Sequence, residues 1–107
     1  MANTVKQLNQ SALTATLTTN LYTVPPSTTT IVKEVLLCNT DTVSRDVTLY
    51  AGDGTAIKNR ILDALSVGAG ETKFISLSTL LNTADIIAAG ASSASVVSIT
   101  ISGVEIT

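Results

Sequence analysis

The chain has 107 residues, of which 45% are hydrophobic, 3% aromatic and 13% charged, with a formal net charge of −2 and a pI near 4.7. That length supports one domain around one core, and the core has to be built from Val, Ile, Leu and Ala, a composition that suits strands. The weakly acidic balance leaves no basic surface to neutralise phosphates, which disfavours nucleic-acid binding, and the lack of any histidine removes the commonest general base.

Met1 to Lys6 lacks the basic start and apolar block of a secretory signal, and no apolar run approaches the length of a membrane span. The expectation is a soluble protein made in the cytoplasm with no membrane partner. Residues 1–10 read as an N-terminal arm or edge strand, and residues 11–107 as the sandwich domain. Leu13 to Thr18 places apolar residues at odd positions and Thr at even ones, the period of a half-buried strand. Leu21 to Val24 resumes an extended course after Thr19-Asn20, and Pro25-Pro26 then denies two successive ladder donors, which marks a surface turn.

The β-branched run Thr28 to Asn39 reads as the longest strand. Val35 to Cys38 is apolar at four consecutive positions, so both pleat faces need cover there, and a second copy or a larger partner is the economical source. Lys33, Glu34, Val35, Leu36 and Leu37 are therefore the candidate interface residues. Lys33 and Glu34 fall on opposite faces, as a solvated patch or as a subunit contact. Cys38 is the only cysteine, which rules out an intrachain disulfide, and its place in the run reads as a small buried hydrophobe.

Asp41 to Ser44 is turn-forming and Arg45 to Tyr50 is a strand. The Gly52-Asp53-Gly54 loop brings one carboxylate, too few for a calcium loop, and reads as a hairpin turn. Ala56 to Leu65 carries Ile57, Ile61 and Leu65 at helical spacing, but it is short and flanked by Gly-rich turns, so a strand is expected. Thr72 to Leu77 is a strand in which Phe74 is expected to fill core volume, and Ser78 to Asn82 reads as one helical turn. Asp85 to Ala89 is a further strand, followed by a small-residue loop from Gly90 to Ser95. Val97, Ile99 and Ile101 alternate cleanly, whereas Val104 and Ile106 fall on the other parity, which predicts a bulge or bend at Ser102-Gly103. Seven or eight short strands with no strong helix define an all-β, single-domain antiparallel β-sandwich, with the jelly roll as one form of it; strand order stays open.

The carboxylates mostly sit in predicted turns or at strand starts, no Gly-x-Ser-x-Gly elbow is present, and there is no histidine to activate a hydroxyl. The sequence therefore nominates no catalytic, cofactor-binding or metal-binding residue, and the expectation is a non-enzyme without a cofactor. Scarce aromatics also count against an adhesion module that stacks on sugars.

Two stretches resemble small β-sandwich virion proteins from the structural gene modules of tailed bacteriophages. One runs from Leu21-Tyr22-Thr23-Val24-Pro25-Pro26-Ser27 through Ile31-Val32 into Val35-Leu36-Leu37-Cys38-Asn39-Thr40 and Val47-Thr48-Leu49-Tyr50. The other is Leu81-Asn82-Thr83-Ala84-Asp85-Ile86-Ile87 with Ile99-Thr100-Ile101-Ser102-Gly103-Val104-Glu105, where Ala84 stands in place of an expected Gly. The resemblance implies a non-enzymatic virion subunit assembled in the host cytoplasm. A capsid decoration or cement protein is the first form, a neck, tail or head-fibre component the alternative. The partners expected are further copies of the chain, as a trimer, and the major capsid protein or other virion proteins.

Overall fold

The computed structural model describes residues 2–107 as eight strands and one 3-10 turn: β1 (Asn3–Ala12), β2 (Thr19–Thr23), β3 (Thr29–Asn39), β4 (Arg45–Gly52), the turn Ile57–Asn59, β5 (Arg60–Val67), β6 (Thr72–Leu81), β7 (Ile86–Ala91) and β8 (Val97–Ile106). They form two four-stranded antiparallel sheets ordered β1-β8-β3-β6 and β2-β7-β4-β5. The chain changes sheet at every connection except the β4–β5 hairpin and β7 and β8 return between earlier strands, the double Greek key of a jelly roll. The all-β antiparallel sandwich expected from the sequence is the observed fold.

The core between the sheets is aliphatic. Leu37, Val35, Ile99, Ile101, Val97 and Leu81 from one sheet meet Val47, Leu49, Val67, Ile87 and Ala89 from the other, all at most 2% exposed. Asn39, fully buried at the end of β3, donates to the carbonyls of Val43 and Val67, both at 2.9 Å, and accepts from the Asp41 amide at 2.9 Å. One side chain thereby satisfies the backbone of the β3–β4 turn and of the end of β5, which an apolar residue could not do.

Several local expectations are overturned. Leu13 to Thr18 is not a strand: the ladder with β8 ends at Ala12, and the segment crosses from one sheet to the other. Of its alternating apolar residues only Leu13 is buried, as a plug, while Ala15 and Leu17 are exposed. Leu13 is 1% exposed and held between Val97 O and Ser95 N, while a Cβ at Gly90 would lie 2.3 Å from Thr16 O, so the loop lies directly on β7. Ser78 to Asn82 makes no helical turn, because β6 continues to Leu81 and pairs with Thr30 and Ile31. A local capping signal loses here to ladder bonds with a distant strand.

The Ser102-Gly103 bulge is also absent from β8. The extra residues belong to its two neighbours, since β1 shifts register between Gln7 and Asn9, opposite Ser102 and Ile101, and β3 between Val32 and Glu34, opposite Gly103 and Ser102. β8 itself alternates without a break, with Val97, Ile99, Ile101, Gly103 and Glu105 buried, and a Cβ on Gly103 would lie 2.4 Å from Ile31 O. The glycine admits the crowded backbone of the bulged β3.

Candidate interaction surface

Residues directly opposite one another in an antiparallel ladder share a face, so the registers read as rows across the sheet. On the outer face of β1-β8-β3-β6 they give Ala12–Ser98–Cys38–Thr72, then Gln10–Thr100–Leu36–Phe74, then Gln7–Ser102–Glu34–Ser76, then Val5–Val104–Ile31–Leu80. The last of these is aliphatic across all four strands, and Ile106 follows it on β8. Val5, Phe74 and Leu80 are 82%, 61% and 58% exposed, so three of the chain's most exposed large hydrophobic side chains lie on this one face. Val5 and Leu80 share the aliphatic row and Phe74 lies in the row with Leu36, so the exposed apolar side chains fall in two of the four rows.

The bulge divides the predicted interface residues. Before it Thr30 and Val32 face inward, and after it Val35, Leu37 and Asn39 do. Val35 and Leu37 therefore lie in the core, 1% and 0% exposed, whereas Glu34 and Leu36 are half-buried on the outer face and Lys33 is exposed at the bulge, which puts Lys33 on the same face as Glu34 and not on the opposite one that strict alternation predicts. Lys33 Nζ donates to Ser78 Oγ at 3.2 Å. Leu36 is flanked by Phe74 on β6. Cys38 is half-buried on the outer face rather than in the core, and Phe74 fills no core volume; both point away from the sheet–sheet interior because their partners in the ladder do. Val5, Ile31, Leu80, Val104 and Ile106 were missed by the sequence reading. The signal is the parity of Val104 and Ile106, which marks an outer apolar face and not a bulge in β8.

A buried polar cluster lies under the same end of the sheet. Glu105, 9% exposed, accepts from the Tyr22 hydroxyl and pairs with Lys6 Nζ at 3.3 Å; Tyr22 Oη also bonds Thr30 Oγ1 at 2.8 Å. Burial, and then the hydrogen bond to Glu105, push the Tyr22 phenol up to about 12. The cluster ties β1, β2, β3 and β8 together across the sandwich. Other carboxylates order turns: the Arg45 guanidinium, hydrogen-bonded at 2.8 Å, holds Asp41 below the usual carboxylate range, and Asn59 and then Lys58 do the same for Asp53. Among the described residues no three His, Cys, Asp or Glu side chains gather as a metal site, and every buried side-chain nitrogen and oxygen has a partner.

No protein-family model matches the chain, and no curated protein matches it. Among solved structures, the T13 viral particle of infectious bursal disease virus is similar over 97% of this chain and 31% of its own, with a TM-score of 0.50 and 14% identity. The Gx strain of that virus gives a TM-score of 0.47 at 17% identity over the same shares. The virus-like particle of the extra small virus of the giant freshwater prawn Macrobrachium rosenbergii gives 0.33 at 14% identity, over 98% of this chain and 80% of its own. The chain thus spans about a third of the bursal disease virus chains, 31% in each case. At 14% identity the first of these likenesses is one of fold, the β-sandwich.

Proposed function

We propose that the chain is a non-enzymatic structural subunit of a virus particle, a capsid decoration or cement protein that works as a trimer on the major capsid protein. The observation that carries this reading is the outer face of β1-β8-β3-β6, uncharged apart from Lys33 and Glu34 and crossed by an aliphatic row. Ser, Thr and aliphatic side chains lose less on leaving water than Lys or Glu would, so such a face suits permanent cover. Two further observations support it. The jelly roll is an architecture of viral capsid domains, and the solved chain that shares the fold at a TM-score of 0.50 belongs to a viral particle.

The test is the copy number of the chain relative to the major capsid protein in purified particles of the source virus, by quantitative mass spectrometry. A ratio near that of the shell subunit is the expected result. A few chains per hundred shell subunits would move the protein to the neck, tail or head fibre, and absence from particles would overturn the virion reading. A second reading, a carbohydrate-binding adhesion module, is favoured by one feature, the 61% exposed ring of Phe74, since lectins also use the jelly roll and sugars stack on such rings. Saturable binding on a glycan array, abolished by Phe74→Ala, would establish it.

A further inference from the structure

We propose that the outer face of β1-β8-β3-β6 is the contact between copies of this chain, packed around an axis that runs along the strands. The inference rests on the homo-oligomeric part of the reading above and names the surface that part requires. Three features of the face point to a second copy as its occupant.

The first is row order. An axis along the strands brings each row level with the same row of the neighbouring copy, so Val5, Val104, Ile31 and Leu80 meet their own equivalents in one aliphatic layer. The Leu36 and Phe74 row forms a second layer, and the polar row with Glu34 lies between the two. A partner of unrelated sequence would have to reproduce that alternation, whereas a copy supplies it by symmetry.

Charge is the second. Lys33 and Glu34 are the only charged side chains on the face among the described residues, of opposite sign and at one level beside the β3 bulge. Each copy therefore presents one charge of each sign at the same level and no net charge on the face, which leaves no single-sign field to oppose self-association.

Area is the third. Four strands of ten or eleven residues spaced about 4.8 Å apart present a footprint of roughly 600 Å² before corrugation, close to the ~800 Å² per partner of a stable interface. The aliphatic row also reaches β1, an edge strand of the sheet, where Val5 is the most exposed large hydrophobic side chain among the described residues.

The experiment is sedimentation equilibrium of the full chain and of three variants, with far-UV circular dichroism to confirm folding. Val5→Lys and Leu80→Lys alter exposed side chains and leave the core intact; Ile57→Lys, 80% exposed on the 3-10 turn outside this face, is the control. The native chain and the control are expected to be oligomeric, and each face variant to associate about 100-fold more weakly or not at all while staying folded. Alkylation of Cys38, on the same face, should be slowed in the native oligomer and fast in Leu80→Lys. A native chain that is monomeric at 100 µM or above (about 1 mg/ml), or face variants that associate like the native protein, would overturn the proposal. Its failure is distinct from that of the virion reading: an oligomer broken by Leu80→Lys but absent from particles refutes only the latter, and a particle protein whose association ignores these variants refutes only the former.

Discussion

Ala84 holds a left-handed backbone, φ +72°, in the turn between β6 and β7, where its amide donates to Val24 O and the Asp85 amide closes on Asn82 O. An L-residue with a Cβ is strained in that region, and it stands where the resemblance places Gly. Ala84→Gly is expected to stabilise the protein by about 1 kcal/mol, raising Tm by roughly 4–8 °C in thermal unfolding. Tyr22 gives a second prediction at this scale. Its phenol is raised from 10.0 to about 12 in the folded state, so below pH 10 it is neutral in both states and its contribution is complete. Between pH 10 and 12 the unfolded phenol ionises first, the unfolded state binds fewer protons, and stability falls as pH rises. Urea midpoints at pH 9 and 11.5 should therefore drop more for the native chain than for Tyr22→Phe.

β3 is the element in which core and surface are separated by a single inserted residue. Val35 and Leu36 are adjacent, yet one is 1% exposed in the core and the other half-buried on the outer face. Val35→Lys puts an unpaired ammonium among aliphatic side chains and is expected to cost more than about 4 kcal/mol, enough to abolish the folded far-UV spectrum. Within the subunit Leu36→Lys loses its cross-strand contact with Phe74, about 1 kcal/mol, and should leave the fold in place. Equal tolerance of the two would contradict the register of β3 with β8. The sequence showed correctly that four apolar residues in a row load both faces of this strand. It could not show that two of the five candidate interface residues, Val35 and Leu37, belong to the interior, because the bulge at Lys33 that sets their face is visible only in the pairing with β6 and β8.

At the scale of the molecule, the two ends of the chain are neighbours: β1 pairs with β8 from Asn3–Ile106 to Ala12–Ser98. β1 also supplies Leu8 to the core and Lys6 to Glu105. Removing residues 1–10 leaves β8 as an open edge and Glu105 without its cation, and is expected to lower the stability by several kcal/mol and promote aggregation, read as a lower urea midpoint and rising light scattering.

Period-two alternation, an aliphatic core composition and turn chemistry are properties of neighbouring residues, so the sequence by itself determined the all-β antiparallel sandwich and most of its strands. Pairing decided the rest. Leu13 became a plug instead of a strand residue, Ser78 to Leu81 stayed extended, and Phe74 and Cys38 turned outward, each through contacts with residues far along the chain. The aliphatic outer row exists only because β1, β8, β3 and β6 lie side by side, and an outward parity such as that of Val104 and Ile106 has no meaning until the neighbouring strands fix which face is the core.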